Sequence, residues 1–258
     1  VNYWGAPSSH IKLTNGKVET NPGDYEIKQG PNEPKNIMFP DKYKYPWFLN
    51  YDITEKGMQF TWSFWIYIED LDFRSGEMKN VWVKGDNKYY DKEYDEDPSQ
   101  TDSGSSPNNI ENESFKNRIN GPGVYIAPNS NELIFVFNTY NNIFEKFRMD
   151  NITTKKWLNI VMVSKDKEID VFVNSNFAKR FLLTSLPKLN YNNIYIGKNG
   201  GFNGFVSNLW YWSYALGTAE IDNIYKGGPN TTYLNPPTST NNVDSSSNYL
   251  SYTWYSNA

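Results

Sequence analysis

Apolar and polar positions alternate with period two along most of the chain, which is the pattern of strands with one buried face. The longest such run sets Phe60, Trp62, Phe64, Ile66 and Ile68 against Thr61, Ser63, Trp65, Tyr67 and Glu69. The first set reads as a core face, and the second as a face that is also substantially covered. Shorter runs follow at Val81–Lys84 (ended by Gly85), Gly123–Ala127, Leu133–Asn138, Ile143–Met149, Trp157–Val163, Ile169–Val173 and Ala178–Leu183. Turn-forming Asn, Ser, Asp and Gly separate them, and Lys165-Asp166-Lys167 predicts a hairpin. Ile194–Ile196 is a further strand, and Gly197-Lys198-Asn199-Gly200-Gly201 reads as a hairpin turn leading into Phe205–Tyr214. In that last strand Phe205, Leu209 and Tyr211 are expected on one face, with Val206, Trp210, Trp212 and Tyr214 on the other.

One segment departs from this period. Thr218 reads as a helix cap, Glu220 suits the positive end of the dipole, and Ile221 and Ile224 share a face. Gly227-Gly228-Pro229 ends the helix. Many short strands and a single short helix predict an all-β fold, an antiparallel β-sandwich, with the helix as a plug over one end.

The pattern also divides the chain. Residues 1–57 are rich in Gly, Pro, Asn and Lys, with short β segments around Ile11–Val18 and Ile37–Phe39 and loops crossing the sandwich. Residues 58–230 form the sandwich, interrupted at 85–118 by a long acidic loop dense in turn formers. Residues 231–258 are a Ser/Asn/Pro-rich tail whose aromatic end (Tyr249, Leu250, Trp254, Tyr255) either hangs free or returns to the sheet.

Several elements together resemble a known family. The run Ile194-Tyr195-Ile196-Gly197, then Phe205 to Leu209, Tyr211, Ala215-Leu216, Glu220-Ile221 and Ile224-Tyr225, is similar to the C-terminal signature of laminin-G-like domains. These belong to the concanavalin A-like lectin/glucanase superfamily. Lys156-Trp157, Ile160–Val163 and Ile169–Asn174 resemble the middle hairpin of the same domains. The resemblance covers roughly residues 58–230 and implies a concanavalin A-like jelly roll. Gly228-Pro229-Asn230 and Tyr249-Leu250-Ser251 with Trp254-Tyr255 resemble the branch encoded by large double-stranded DNA viruses of algae and protists. That branch implies a virion component, minor capsid or surface, whose partners are neighbouring virion or surface proteins, or glycans.

Composition narrows the chemistry. The 258 residues include 9 Trp, 15 Phe and 20 Tyr, and each buried ring contributes roughly 1.5–3 kcal/mol, so a core can be built without cross-links. None is needed from cysteine, because there is none; a disulfide or thiolate metal site is excluded. A net charge of −4 from 25 basic and 29 acidic residues gives no basic footprint for nucleic acid. No apolar run is long enough to span a membrane within these residues. The chain opens on Val1, which leaves room for an upstream signal or anchor.

Catalytic constellations fail one by one. His10 is the sole histidine, so neither a multi-histidine zinc site nor a triad has its parts. Enzymes of the resembled superfamily carry Glu-x-Asp-x-Glu or Glu-x-Asp-x-x-Glu on one strand. Here Glu168-Ile169-Asp170 continues into Val171-Phe172-Val173 and lacks the second Glu, and Glu69-Asp70-Leu71-Asp72 has the wrong offset. The expectation is a non-enzyme, with a polysaccharide hydrolase or lyase and a cell-surface adhesion module as alternatives. No cofactor is required. Calcium is the one candidate ion, because the resembled domains hold it at their loop rim. Asp86, Asp91, Asp95 and Asp97 offer hard oxygens in one loop. Glycan binding needs rings for sugar C–H faces and amides for hydroxyls, which Tyr89, Tyr90, Tyr94, Tyr140, Asn141 and Asn142 supply. Asn112, Asn151 and Asn230 head Asn-x-Ser/Thr sequons and are candidate glycosylation sites.

Overall fold

A computed structural model describes residues 10–21, 23–27, 58–85, 119–142, 144–188 and 192–234. The strands run β1 (His10–Lys12), β2 (Lys17–Glu19), β3 (Tyr25–Ile27), β4 (Gln59–Asp70), β5 (Lys79–Lys84), β6 (Gly123–Ile126), β7 (Glu132–Phe137), β8 (Glu145–Asp150), β9 (Trp157–Lys165), β10 (Glu168–Val173), β11 (Asn176–Leu182), β12 (Ile194–Ile196) and β13 (Asn203–Trp212). One helix, α1 (Thr218–Gly227), follows. The seven-stranded sheet has the order β1-β13-β4-β9-β10-β11, with β2 also on β13. The six-stranded sheet has the order β3-β12-β5-β6-β7-β8. All ladders between these strands are antiparallel, so the chain is the antiparallel β-sandwich that its alternation predicts.

The core lies between the sheets. Phe60, Trp62, Phe64, Ile66 and Ile68 all point into it, as the period-two reading requires. Trp62 meets Trp82 of the opposite sheet at 4.8 Å and Tyr211 at 4.9 Å between ring centroids, and Trp82 is edge-on to Phe64.

Three expectations change. First, β13 does not keep one phase. Val206 joins Leu209 and Tyr211 in the core, while Phe205 faces outward against Tyr67 and Trp157. The cause is a bulge between Ser207 and Trp210, where Asn208 takes φ 46° and adds one residue to the strand. Second, α1 does not plug an end. It lies on the outer face of the seven-stranded sheet, where Leu216 and Ile221 pack on Val161, Val163, Phe172 and Trp212. Tyr225 stacks on Trp65 at 5.8 Å, which explains why the second face of β4 is buried. Its cap is Gly217, whose N–H donates to Glu220 Oε2, rather than Thr218. Third, the glycine-rich turn at 197–201 is no hairpin but an arch. It carries the chain from β12 in one sheet to β13 in the other through a 3-10 turn at Lys198–Gly200. Gly197 sits at φ 64°, with the Thr20 backbone where a side chain would go.

The predicted hairpin at Lys165–Lys167 joins β9 to β10. Tail residues 231–234 are docked: Tyr233 bridges Lys17 in parallel, and Leu234 rests against the core. Ile37–Phe39 and the aromatic end of the tail lie outside the described residues.

Candidate recognition rim

Antiparallel pairing gathers the loops at one end of the sandwich. Val83, Gly123 and Val136 are neighbours across β5, β6 and β7, and Phe137 pairs with Glu145. The described residues 85, 119–122, 138–142 and 183–188 therefore emerge together. They are pinned to one another by hydrogen bonds between short polar side chains and backbone. The Asn138 N–H donates to the Asn120 carbonyl at 2.8 Å, and the Asn120 N–H donates back to Asn138 Oδ1. The Lys188 N–H donates to the Asn138 carbonyl at 2.7 Å, and Thr139 forms a bridge with Pro187. Glu145, buried beneath, accepts both the Thr184 N–H and its hydroxyl.

This frame lifts Tyr140 into water. Its side chain is 68% exposed, while its N–H is held by the Leu186 carbonyl. Lys188 Nζ stands 5.8 Å from the Tyr140 ring centroid, and Leu186 is also exposed beside it. The Asn141 N–H is bound by Ser185 Oγ at 2.9 Å, which leaves its exposed carboxamide outward. Asn142 differs: its Oδ1 caps the Phe144 N–H, and its carbonyl accepts from the Thr139 hydroxyl. Of the two predicted amides, Asn141 is the one with both polar atoms available. Lys188 and Leu186 were missed in the sequence because they reach Tyr140 only through pairing between the two sheets.

Below the rim, Phe60, Trp62, Tyr211 and Phe137 line a cleft with Pro187 and Lys188. Its volume is about 10 Å³, room for about one water.

The acidic loop has its neck here. A side chain at Gly85 would collide with the Ile119 carbonyl, so the two described residues that flank 86–118 meet at this point. Lys84, at the neck, donates to the Asn192 carbonyl at 2.7 Å, and burial pushes its ammonium down to about 7. Tyr89, Tyr90, Tyr94, Asp86, Asp91, Asp95, Asp97 and Asn112 lie outside the described residues.

The other candidates are elsewhere. Asn151 is exposed at φ 61° on the turn after β8, at the opposite end. The Asn230 carboxamide is engaged: Nδ2 donates to Asn15, and Oδ1 accepts the Thr232 N–H. Glu168 and Asp170 face outward on β10, where Arg180 grips Asp170 through Nε (2.6 Å) and Nη2 (2.8 Å) and reaches Glu168 at 3.1 Å. Asp170, then Glu168, hold the Arg180 guanidinium above its usual range. Among the described residues no helix is long and apolar enough to cross a membrane.

No family model matches the chain, and no curated protein matches it. Among solved structures it is similar to the receptor-binding domain of botulinum neurotoxin D, with 12% identity, 80% of this chain and 44% of that one covered, and a TM-score of 0.47. The receptor-binding domain of the mosaic C/D serotype superposes with 14% identity over 66% of this chain and 36% of that one, TM-score 0.46. The serotype D ligand-binding domain, solved with N-acetylneuraminic acid, gives 13% identity over 66% and 36%, TM-score 0.45. The chain spans less than half the length of these neighbours.

Proposed function

We infer that this chain is a non-catalytic recognition module that holds glycans, or the surface of a neighbouring protein, on the rim around Tyr140. The observation that carries the reading is the placement of an exposed ring on a doubly pinned loop. Tyr140 and Leu186 offer apolar area without a large loss of loop entropy, and Asn141 and Lys188 offer donors beside them. The acidic loop, with its own tyrosines and carboxylates, is flanked by Gly85 and Ile119, which meet at the same end of the sandwich as the paired Asn120 and Asn138. Calcium bound through Asp86, Asp91, Asp95 and Asp97 would stiffen that loop. A glycan array run with and without calcium tests both points. Binding lost in Tyr140→Ala, with unchanged thermal unfolding, supports the reading; wild-type protein that binds no glycan on the array removes the glycan version.

The non-catalytic reading is supported by Arg180. Arg180 engages both carboxylates at once, Asp170 in bidentate contact and Glu168 at 3.1 Å, which occupies oxygens that a general acid or nucleophile would need free. Polysaccharide cleavage that disappears in Glu168→Gln and Asp170→Asn would overturn it. The setting we propose is the particle of a large DNA virus, on the strength of the motif resemblance. The chain's presence in purified, washed particles is the expected result, and its absence would remove that setting.

A further inference from the structure

The outer face of the seven-stranded sheet is covered by α1 over only part of its area. Beyond the helix, Trp157 of β9, Tyr67 of β4, Phe205 of β13 and Tyr233 of the docked tail stand side by side. Tyr67 is 5.5 Å from Trp157 and 6.2 Å from Phe205, and Phe205 is 5.9 Å from Tyr233 between centroids. Tyr233 is 41% exposed and the other three are half-buried. The rings sit on neighbouring strands, so the strip runs across the sheet with a step near the strand spacing of about 4.8 Å. Contiguous, partly exposed rings of this kind form a candidate binding surface.

The chemistry of the strip selects its occupant. Among the described residues, none hydrogen-bonds the Tyr67 or Tyr233 hydroxyl or the Trp157 indole N–H. Tyr67, Trp157 and Tyr233 thus each carry an unused polar tip on an aromatic ring, the pairing that a sugar ring's C–H face and hydroxyls satisfy. Lys17 and Glu19, two residues apart on β2, flank Phe205 with opposite charges. Lys17 Nζ lies 4.4 Å from the Phe205 centroid and 3.8 Å from that of Tyr233. Cancelled charge disfavours polyanions, and a strip of aromatics with polar tips is not the aliphatic surface a lipid would seek. We propose that this strip is a second binding site, independent of the rim, for a neutral linear oligosaccharide lying across the strands.

The test is hydroxyl-radical footprinting of the whole chain with cello-, laminari- and chito-oligosaccharides, and with a sulfated heparin oligosaccharide for contrast. Protection of Tyr67, Trp157 and Tyr233 by at least one neutral sugar is expected. Tyr233→Ala, the most exposed member, should weaken that sugar about tenfold, and Trp157→Ala should do the same if its unfolding midpoint is retained. Four results overturn the proposal: no protection by any neutral sugar, protection confined to Tyr140, protection by the sulfated sugar alone, or undiminished affinity in Tyr233→Ala. A fifth is protection of the strip without sugar that is lost on deleting 235–258, which would make the chain's own tail the occupant.

Discussion

Single residues here are governed by burial more than by charge. Trp62 is in contact with rings from both sheets, and truncating it leaves a cavity that neither sheet can collapse into. Trp62→Ala should cost about 3–5 kcal/mol in denaturant unfolding. Lys84 is the sharper case, because burial lowers its pKa from 10.5 to about 7. Between these values the unfolded chain holds the proton and the folded chain does not, so stability rises with pH across that window. Below about 7 both states are charged, and the full cost of burying the ammonium is felt. Lys84→Met should flatten this slope; parallel stability curves for the two proteins from pH 7 to 10.5 would show that Lys84 does not titrate there.

At the scale of elements, the sequence was legible wherever side-chain alternation ran undisturbed. The core face of β4 and the β9–β10 hairpin follow directly from period two. It was misleading where the backbone changed phase without a chemical marker. Asn208 reads as one more polar strand position, yet its left-handed φ reverses the faces of Phe205 and Val206. Asn tolerates that conformation and a β-branched residue does not, so Asn208→Val should lower stability by about 1–3 kcal/mol while Asn208→Gly is nearly neutral, as thermal denaturation would register. The apolar face of α1 was visible from Ile221 and Ile224, but not what it packs on, because its partners Val161 and Phe172 lie on strands far earlier in the chain. The outward aromatics Tyr67 and Trp157 carried a usable signal: rings stand where a solvated face would have polar side chains.

For the whole molecule, the sandwich separates two duties. Rings between the sheets hold the fold, and the loops at one end, pinned through Asn120, Asn138 and Asn142, present Tyr140. Part of that rim was readable in the sequence, since Tyr140-Asn141-Asn142 has the composition of a turn. Its other half, Leu186 and Lys188, depends on one sheet's loop crossing to the other, which no local pattern encodes. The claim that recognition resides there is tested most directly by titrating the isotope-labelled protein with a glycan bound on the array and following backbone amides by NMR. Shifts at Tyr140, Asn141, Leu186 and Lys188 are predicted. A glycan that binds and leaves all four unmoved contradicts the account.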